Sequence, residues 1–249
     1  MIQAESVISD QMAEAIRLLD DAPWTGGVDE AIEAALTALD VAGLAVSLAT
    51  PETGMEPVVC SGEAARRFED LQFTVGEGPG VDALRSGTLV LVADLTEERA
   101  GCWPLLRGEV LGLRLRSVFC FPMTLGAIRI GVLSAIRPTA SRLTWQQLDD
   151  ALALAAALTH WYLTRTASAI DRTGPLPLTQ SLGHAEIHQA TGMVSVQLGL
   201  PLAQALQALR AHAYGQSRPV TDLAHDIVTR RLRLPSTGDD TPPSVTDKD

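Results

Sequence analysis

The chain has 249 residues, 46% of them hydrophobic and 20% charged, and a formal net charge of −11. That length holds one large domain or two smaller ones, and the balance is globular rather than fibrous or disordered. The acidity argues against broad nucleic-acid adhesion, three cysteines without CxxC or metal-ligand spacing argue for a reduced compartment, and no apolar run is long enough for a helical membrane span.

Met12, Ala15, Ile16 and Leu19 recur at helical spacing, which predicts a helix in an N-terminal segment 1–24. Its start lacks the basic residues and apolar core of a secretory signal, so the expected location is the cytoplasm. Val28, Ile32, Ala35, Leu36 and Leu39 predict a second helix. The run VAGLAVSLA (41–49) predicts a strand, and a turn through Pro51 and Gly54 leads to a partner strand at 56–60. A short helix is expected over 63–71 and a helical turn over 81–85, separated by Gly76-Glu77-Gly78-Pro79-Gly80. That glycine-rich break lacks the Lys-Ser/Thr of a phosphate loop, and it reads as a turn leading into a helix.

A strand is predicted over 88–93 and a helix over 103–113. Two strong strands follow at 117–123 and 127–136, joined by Thr124-Leu125-Gly126 as an antiparallel pair. A long helix opens at Thr144, which forms a capping-box pattern with Gln147. It carries two apolar stripes, one of Leu148, Leu152, Ala155 and Tyr162, the other of Ala151, Leu154, Leu158 and Trp161. The second stripe implies either burial on both sides within one chain or contact with the same helix of another subunit, as in a homodimer.

This order of elements is an α+β pattern. Val75-Gly76-Glu77-Gly78-Pro79, Asp82-Ala83-Leu84-Arg85-x-Gly87, Val90-x-Val92-x-Asp94-Leu95, Trp103-Pro104 and Arg116-Ser117-Val118 through Phe121-Pro122 resemble the GAF sensor domain, especially the kind joined to ANTAR modules in actinobacterial regulators. The resemblance implies an antiparallel sheet flanked by helices over 25–170. It also implies a small molecule held between the sheet and its crossing helices. By position, Leu84, Trp103, Leu106, Phe119, Phe121 and Ser134 would line that site. Large apolar residues in such a domain also serve simply as its core. Phe119 and Phe121 share one strand face, with Cys120 on the other. No residue set names a cofactor, which stays unknown.

Residues 171–182, with Gly174, Pro175 and Pro177, read as a linker. Three amphipathic helices follow. Their apolar positions are Ile187, Ala190, Val194 and Leu198, then Leu202, Ala205, Leu206, Leu209 and Ala213, then Val220, Leu223, Ala224, Ile227 and Val228. Gly199-Leu200-Pro201 and Gly215 to Pro219 are the breaks. Residues 180–234 carry three acids against five arginines, a positive stretch in an acidic chain. The tail 235–249 is rich in Pro, Ser, Thr and Asp and reads as a disordered acidic tail.

Gln189-Ala190-x-Gly192, Gly199-Leu200, Ala205, Leu209-Arg210, Asp222-Leu223-Ala224 and Ile227-Val228 resemble the ANTAR domain over 183–234 as a C-terminal three-helix bundle. ANTAR domains are the RNA-binding output modules of bacterial transcription antitermination regulators. The resemblance implies a signal-responsive protein that binds RNA hairpin loops in leader transcripts. Arg210, Arg218, Arg230 and Arg231, with Gln189, Thr191 and Tyr214, are the candidate RNA contacts. Thr191 stands where the family has lysine. That departure leaves a second reading open, in which the bundle serves dimerisation or partner docking and no longer binds RNA. His184 and His188 stand four apart, but no third ligand accompanies them, so no metal is expected. No nucleophile, kinase or hydrolase pattern is present, and the expectation is a binding protein, not an enzyme.

Overall fold

A computed structural model describes residues 8–22, 28–50, 54–97, 102–170 and 185–235. The chain divides into two compact units, Met1–Leu182 and Gly183–Asp249. The predicted linker and the tail beyond residue 235 lie outside the described residues.

In the first unit, α1 (Asp10–Asp21) and α2 (Val28–Leu39) precede β1 (Gly43–Thr50) and β2 (Gly54–Ser61). Then come α3 (Glu63–Val75), α4 (Pro79–Ser86), β3 (Val90–Val92) and α5 (Pro104–Val110), which runs into a 3-10 turn. The hairpin β4 (Ser117–Leu125) and β5 (Ile128–Arg137) leads to the long helix α6 (Trp145–Ile170). The five strands form one antiparallel sheet in the order β2-β1-β5-β4-β3.

Alternation along the strands sorts the core into two layers. Leu44, Val46, Phe119, Phe121, Met123, Leu133 and Ala135 face α1, α2 and α6, where Met12, Leu19, Ile32, Leu154, Leu158 and Trp161 are buried. Ala45, Val118, Cys120, Val132 and Ile136 face the opposite way, onto Phe68, Ala83 and Leu106 of α3, α4 and α5. Helices on both sides explain why the strands read as continuous apolar runs. Each of the two strand prolines is paired with a neighbouring strand on one side only. Pro57 is on the edge strand β2, and Pro122 lies beyond the stretch Val118–Cys120 of β4 that pairs with β3.

The capping box at α6 forms as predicted. Thr144 N donates to Gln147 Oε1 at 3.0 Å, and Gln147 N donates to Thr144 Oγ1 at 3.2 Å. Asp150, one turn later, is turned inward and accepts from both Ser9 N and Ser9 Oγ, at 2.8 and 2.7 Å. Ser9 Oγ in turn accepts from Met12 N and caps α1. Of the two stripes on α6, Ala151, Leu154, Leu158 and Trp161 are buried. In the other, Ala155 is buried, Leu148 and Tyr162 are half-buried, and Leu152 is 42% exposed. The helix is therefore covered on one side and partly open on the other.

The second unit contains α7 (Ala185–Leu198), α8 (Leu202–Gly215) and α9 (Val220–Val228), each packed against the other two. Gly199 takes a left-handed φ of 66° at the end of α7, and Pro201 and Pro219 open the next two helices. The predicted apolar faces are buried apart from three positions. Leu202 is 47% exposed, and Leu198 and Val228 are half-buried.

Candidate functional site

The interior between the sheet and α3, α4 and α5 carries a polar network in an otherwise apolar layer. Glu69 and Gln72 of α3 and Ser47 and Ser134 of the sheet are all fully buried. Glu69 Oε2 accepts from Ser47 Oγ at 2.9 Å, and its Oε1 accepts from Gln72 Nε2 at 3.2 Å. The Ser134 side chain also hydrogen-bonds this carboxyl. Gln72 Oε1 accepts from Gly80 N at 2.8 Å, at the start of α4. The chain wraps around the Gln72 amide here. Gly78 has φ 147°, and a Cβ on it would lie 2.4 Å from Gln72 Oε1.

The rest of the glycine-rich motif holds α5. Glu77 Oε1 accepts from Leu105 N and Leu106 N, at 2.6 and 3.1 Å, so an acid sits at the N-terminal end of that helix. Trp103 Nε1 donates to Asp82 Oδ2 at 2.9 Å and ties α4 to the start of α5. Two residues of the resembling motifs, Glu77 and Asp82, thus have local architectural roles, and with Gln72 they fix three segments around one interior.

Burial pushes the Glu69 carboxyl up from its ordinary value, against the hydrogen bonds from Ser134 and Ser47 that favour its charge. The folded state then binds this proton more tightly than the unfolded chain. Glu69 therefore makes stability fall as pH rises from the usual carboxylate range toward its raised value, by at most about 1.4 kcal/mol per pH unit. Glu69→Gln is expected to remove that slope, and urea melts of both proteins from about pH 5 to pH 8 would check it. Parallel slopes in the two proteins would mean that Glu69 is ionised in the fold.

The six residues placed by position around a ligand site do not converge. Leu84, Trp103, Leu106 and Ser134 belong to the layer of α3, α4 and α5. Phe119 and Phe121 belong to the layer of α1, α2 and α6. The sheet separates the two groups because Phe119 and Phe121 share their strand face with Met123, not with Cys120. Phe119 instead floors a cavity of about 590 Å³ beside the first turn of α6, together with Leu91, Leu143, Trp145 and Leu148, with Asp94, Glu97 and Arg142 as its charged lining. Asp94 is held by Arg116 and by Thr96, which keeps its carboxyl far below the usual range.

In the second unit the candidate RNA-binding residues divide by exposure. Thr191 is 6% exposed, and its Oγ1 donates to Ile187 O at 2.7 Å within α7. It faces the bundle interior, not solvent. Arg210 is largely withdrawn from water, and desolvation pulls its pKa down to about 10. Arg218 is half-exposed and donates to Asp226 Oδ2 at 2.7 Å, which holds the Asp226 carboxyl below its usual range. Arg231 adds to that field, so Arg218 and Arg231 gather around one carboxylate. Gln189, Tyr214, Arg230 and Arg231 are exposed. Arg230 and Arg231 lie past the end of α9, on a turn where Arg230 takes φ 61°. Glu186 pairs with His225 Nδ1 at 3.2 Å and joins α7 to α9.

Among the described residues no group of three or more His, Cys, Asp and Glu side chains is placed to hold a metal ion, and His184 lies outside them. No helix of the described residues is long and apolar enough to cross a membrane.

No family model and no curated protein sequence matches the chain. Solved structures do match the first unit. The GAF domain of an Acinetobacter phosphoenolpyruvate-protein phosphotransferase aligns at TM-score 0.50 and 12% identity, covering 67% of this chain and 96% of that one. The GAF domain of the Coxiella burnetii phosphoenolpyruvate-protein phosphotransferase aligns at TM-score 0.48 and 12% identity, covering 65% and 99%. The free methionine-R-sulfoxide reductase of Neisseria meningitidis aligns at TM-score 0.47 and 16% identity, covering 65% and 96%. The first unit has a GAF-like fold.

Proposed function

We propose that the chain is a cytoplasmic, signal-responsive regulator in which the GAF-like unit receives a signal and the C-terminal bundle binds RNA hairpin loops in leader transcripts, favouring transcription antitermination. It acts by binding and population shift, not by catalysis. The observation that carries this reading is the cationic end of the bundle. Arg230 and Arg231 are exposed on the turn after α9, and Arg218 lies beside the same Asp226. The motif residues that resemble the ANTAR domain supply the choice of RNA.

The exposed arginines, rather than Arg210, are the residues to change. Arg230→Ala with Arg231→Ala is expected to weaken binding of a paired-hairpin leader RNA about tenfold or more. It should also flatten the salt dependence by roughly 0.7 in log–log slope for each phosphate that is no longer neutralised. Filter binding at several salt concentrations reads both quantities. No binding by the folded wild-type chain at low salt, with or without cell extract as a source of ligand, would overturn the RNA reading.

The buried Thr191 and the Arg218–Asp226 pair favour a second reading, a bundle that docks a partner or a second subunit and does not bind RNA. The same assay separates the two. Higher RNA affinity in Thr191→Lys would mean that a lysine at this position reaches the RNA and the threonine does not.

A further inference from the structure

We propose that the cavity beside the first turn of α6 binds a small molecule with an apolar body and one carboxylate, the carboxylate held by Arg142. The cavity volume of about 590 Å³ is that of a small-molecule site. Its floor is Phe119, so it lies on the sheet face that packs against α1, α2 and α6. The buried network around Glu69 is on the other side of the sheet, among α3, α4 and α5, and the two are separate sites.

The walls of the cavity are stitched together. One wall is Leu91 of β3 with the residues that follow it; the other is Leu143, Trp145 and Leu148, from the lead into α6 and its first turn. Leu91 stands opposite Phe119 in the β3–β4 ladder, so the two share a face. Behind them Ser141 N donates to Ala93 O at 3.1 Å and to Ser117 Oγ at 2.9 Å. Ser117 is fully buried, and its Oγ lies 2.8 Å from Ala93 O and 2.6 Å from Thr139 O. These bonds tie the end of β3 to the segment before α6. The walls are fixed without a ligand, and binding does not have to order them.

Charge selects the ligand class. The charged lining among the described residues is Asp94, Glu97 and Arg142. Asp94 is taken up by Arg116 and Thr96, and Glu97 acts on the same Arg116. Two acids thus share one arginine outside the lining. Arg142 is exposed and makes no ion pair among the described residues. It is the cation left to meet an anion, and its planar fork matches a carboxylate. Leu91 is 46% exposed and Trp145 84% exposed, and an apolar body seated over Phe119 removes part of both from water.

This inference rests on the reading of the first unit as the signal receiver, and it names the place and the chemistry of the signal. Decanoate and naphthaleneacetate are the probes, one linear and one aromatic, titrated by calorimetry into the full chain without RNA. At least one of them is expected to bind once per chain with Kd below about 100 μM. Decyltrimethylammonium should bind at least about tenfold more weakly. Arg142→Ala should weaken the carboxylate at least about tenfold and change the affinity for decanol less than about twofold. Leu91→Glu should weaken carboxylate and decanol alike, about tenfold or more. Trp145→Phe should remove the change in tryptophan fluorescence that the carboxylate causes. All three residues are exposed or border the cavity, so the urea midpoints should stay near that of the wild type. No saturable binding of either carboxylate below about 1 mM, or an affinity indifferent to Arg142→Ala, overturns the proposal. Tighter binding of the ammonium overturns it in favour of a cation held by Glu97. Absence of carboxylate binding in a protein whose RNA affinity still answers to cell extract overturns this site alone and leaves the first unit as the signal receiver.

Discussion

Arg137→Met is expected to destabilise the first unit by about 3 kcal/mol or more, on the scale of charged hydrogen bonds removed from a buried site. A chain of this size should then melt on the order of 10 °C lower. Arg137 ends β5 and is 7% exposed. Its Nε donates to Asp40 O at 2.8 Å and its Nη2 to Leu39 O at 2.7 Å, at the C-terminal end of α2, where positive charge is favoured by the helix dipole. Its Nη1 donates to Ser141 Oγ at 3.1 Å, on the segment that leads into α6. The guanidinium also lies over the Phe119 ring, 5.7 Å from its centroid. One side chain thus ties α2, β5 and the lead into α6 together. Arg137→Lys should recover little, because a single ammonium cannot reproduce the planar fork. Calorimetry of the three proteins measures this, and a destabilisation below about 1 kcal/mol for Arg137→Met would mean that water or neighbouring groups replace the clamp.

Gly131→Ala is expected to cost about 3 kcal/mol, although it adds one methyl group. A Cβ at Gly131 would stand 2.3 Å from Ser47 O and 3.2 Å from Leu48 Cα. Both are backbone atoms of β1, the neighbouring strand, so no side chain can swing aside. The strands would have to separate, and Ser47 carries the hydroxyl that reaches Glu69. The substitution should therefore lower the urea midpoint and also disturb the pH slope attributed to Glu69. A midpoint equal to that of the wild type would show that β1 yields at little cost.

The sequence made local structure legible wherever the signal was local. The apolar runs marked β1, β4 and β5, Thr144 and Gln147 marked the start of α6, and Gly199 and Pro201 marked the first break in the bundle. Which helices cover which sheet face is a tertiary fact. Phe119 and Phe121 could be given a common face from their spacing, but nothing nearby in sequence said that α6 lies over it. Glu69 sits in a strongly charged segment, EAARRFEDLQ, and resembles a solvated helix residue; only the sheet serines give it a buried place. Arg137 in RPTASR carries no local sign of the carbonyls it gathers. Thr191 was readable. It is four residues after Ile187 and one after Ala190, on the inward face by helical period alone, whereas comparison with a lysine drew attention to surface chemistry.

The sheet order has a consequence for how the chain reaches this state. β4 and β5 form a tight hairpin and β1 and β2 are close in sequence, so both pairs form locally. Their union places Gly43 opposite Ile136, and the whole of α3, α4, β3 and α5 must be looped out before that ladder closes. Loop entropy is spent before this central pairing returns anything, which makes it the late step and the first unit a slow folder compared with the helical bundle. Until it closes, two apolar strands keep open edges, and the nascent protein is most exposed to aggregation in that interval.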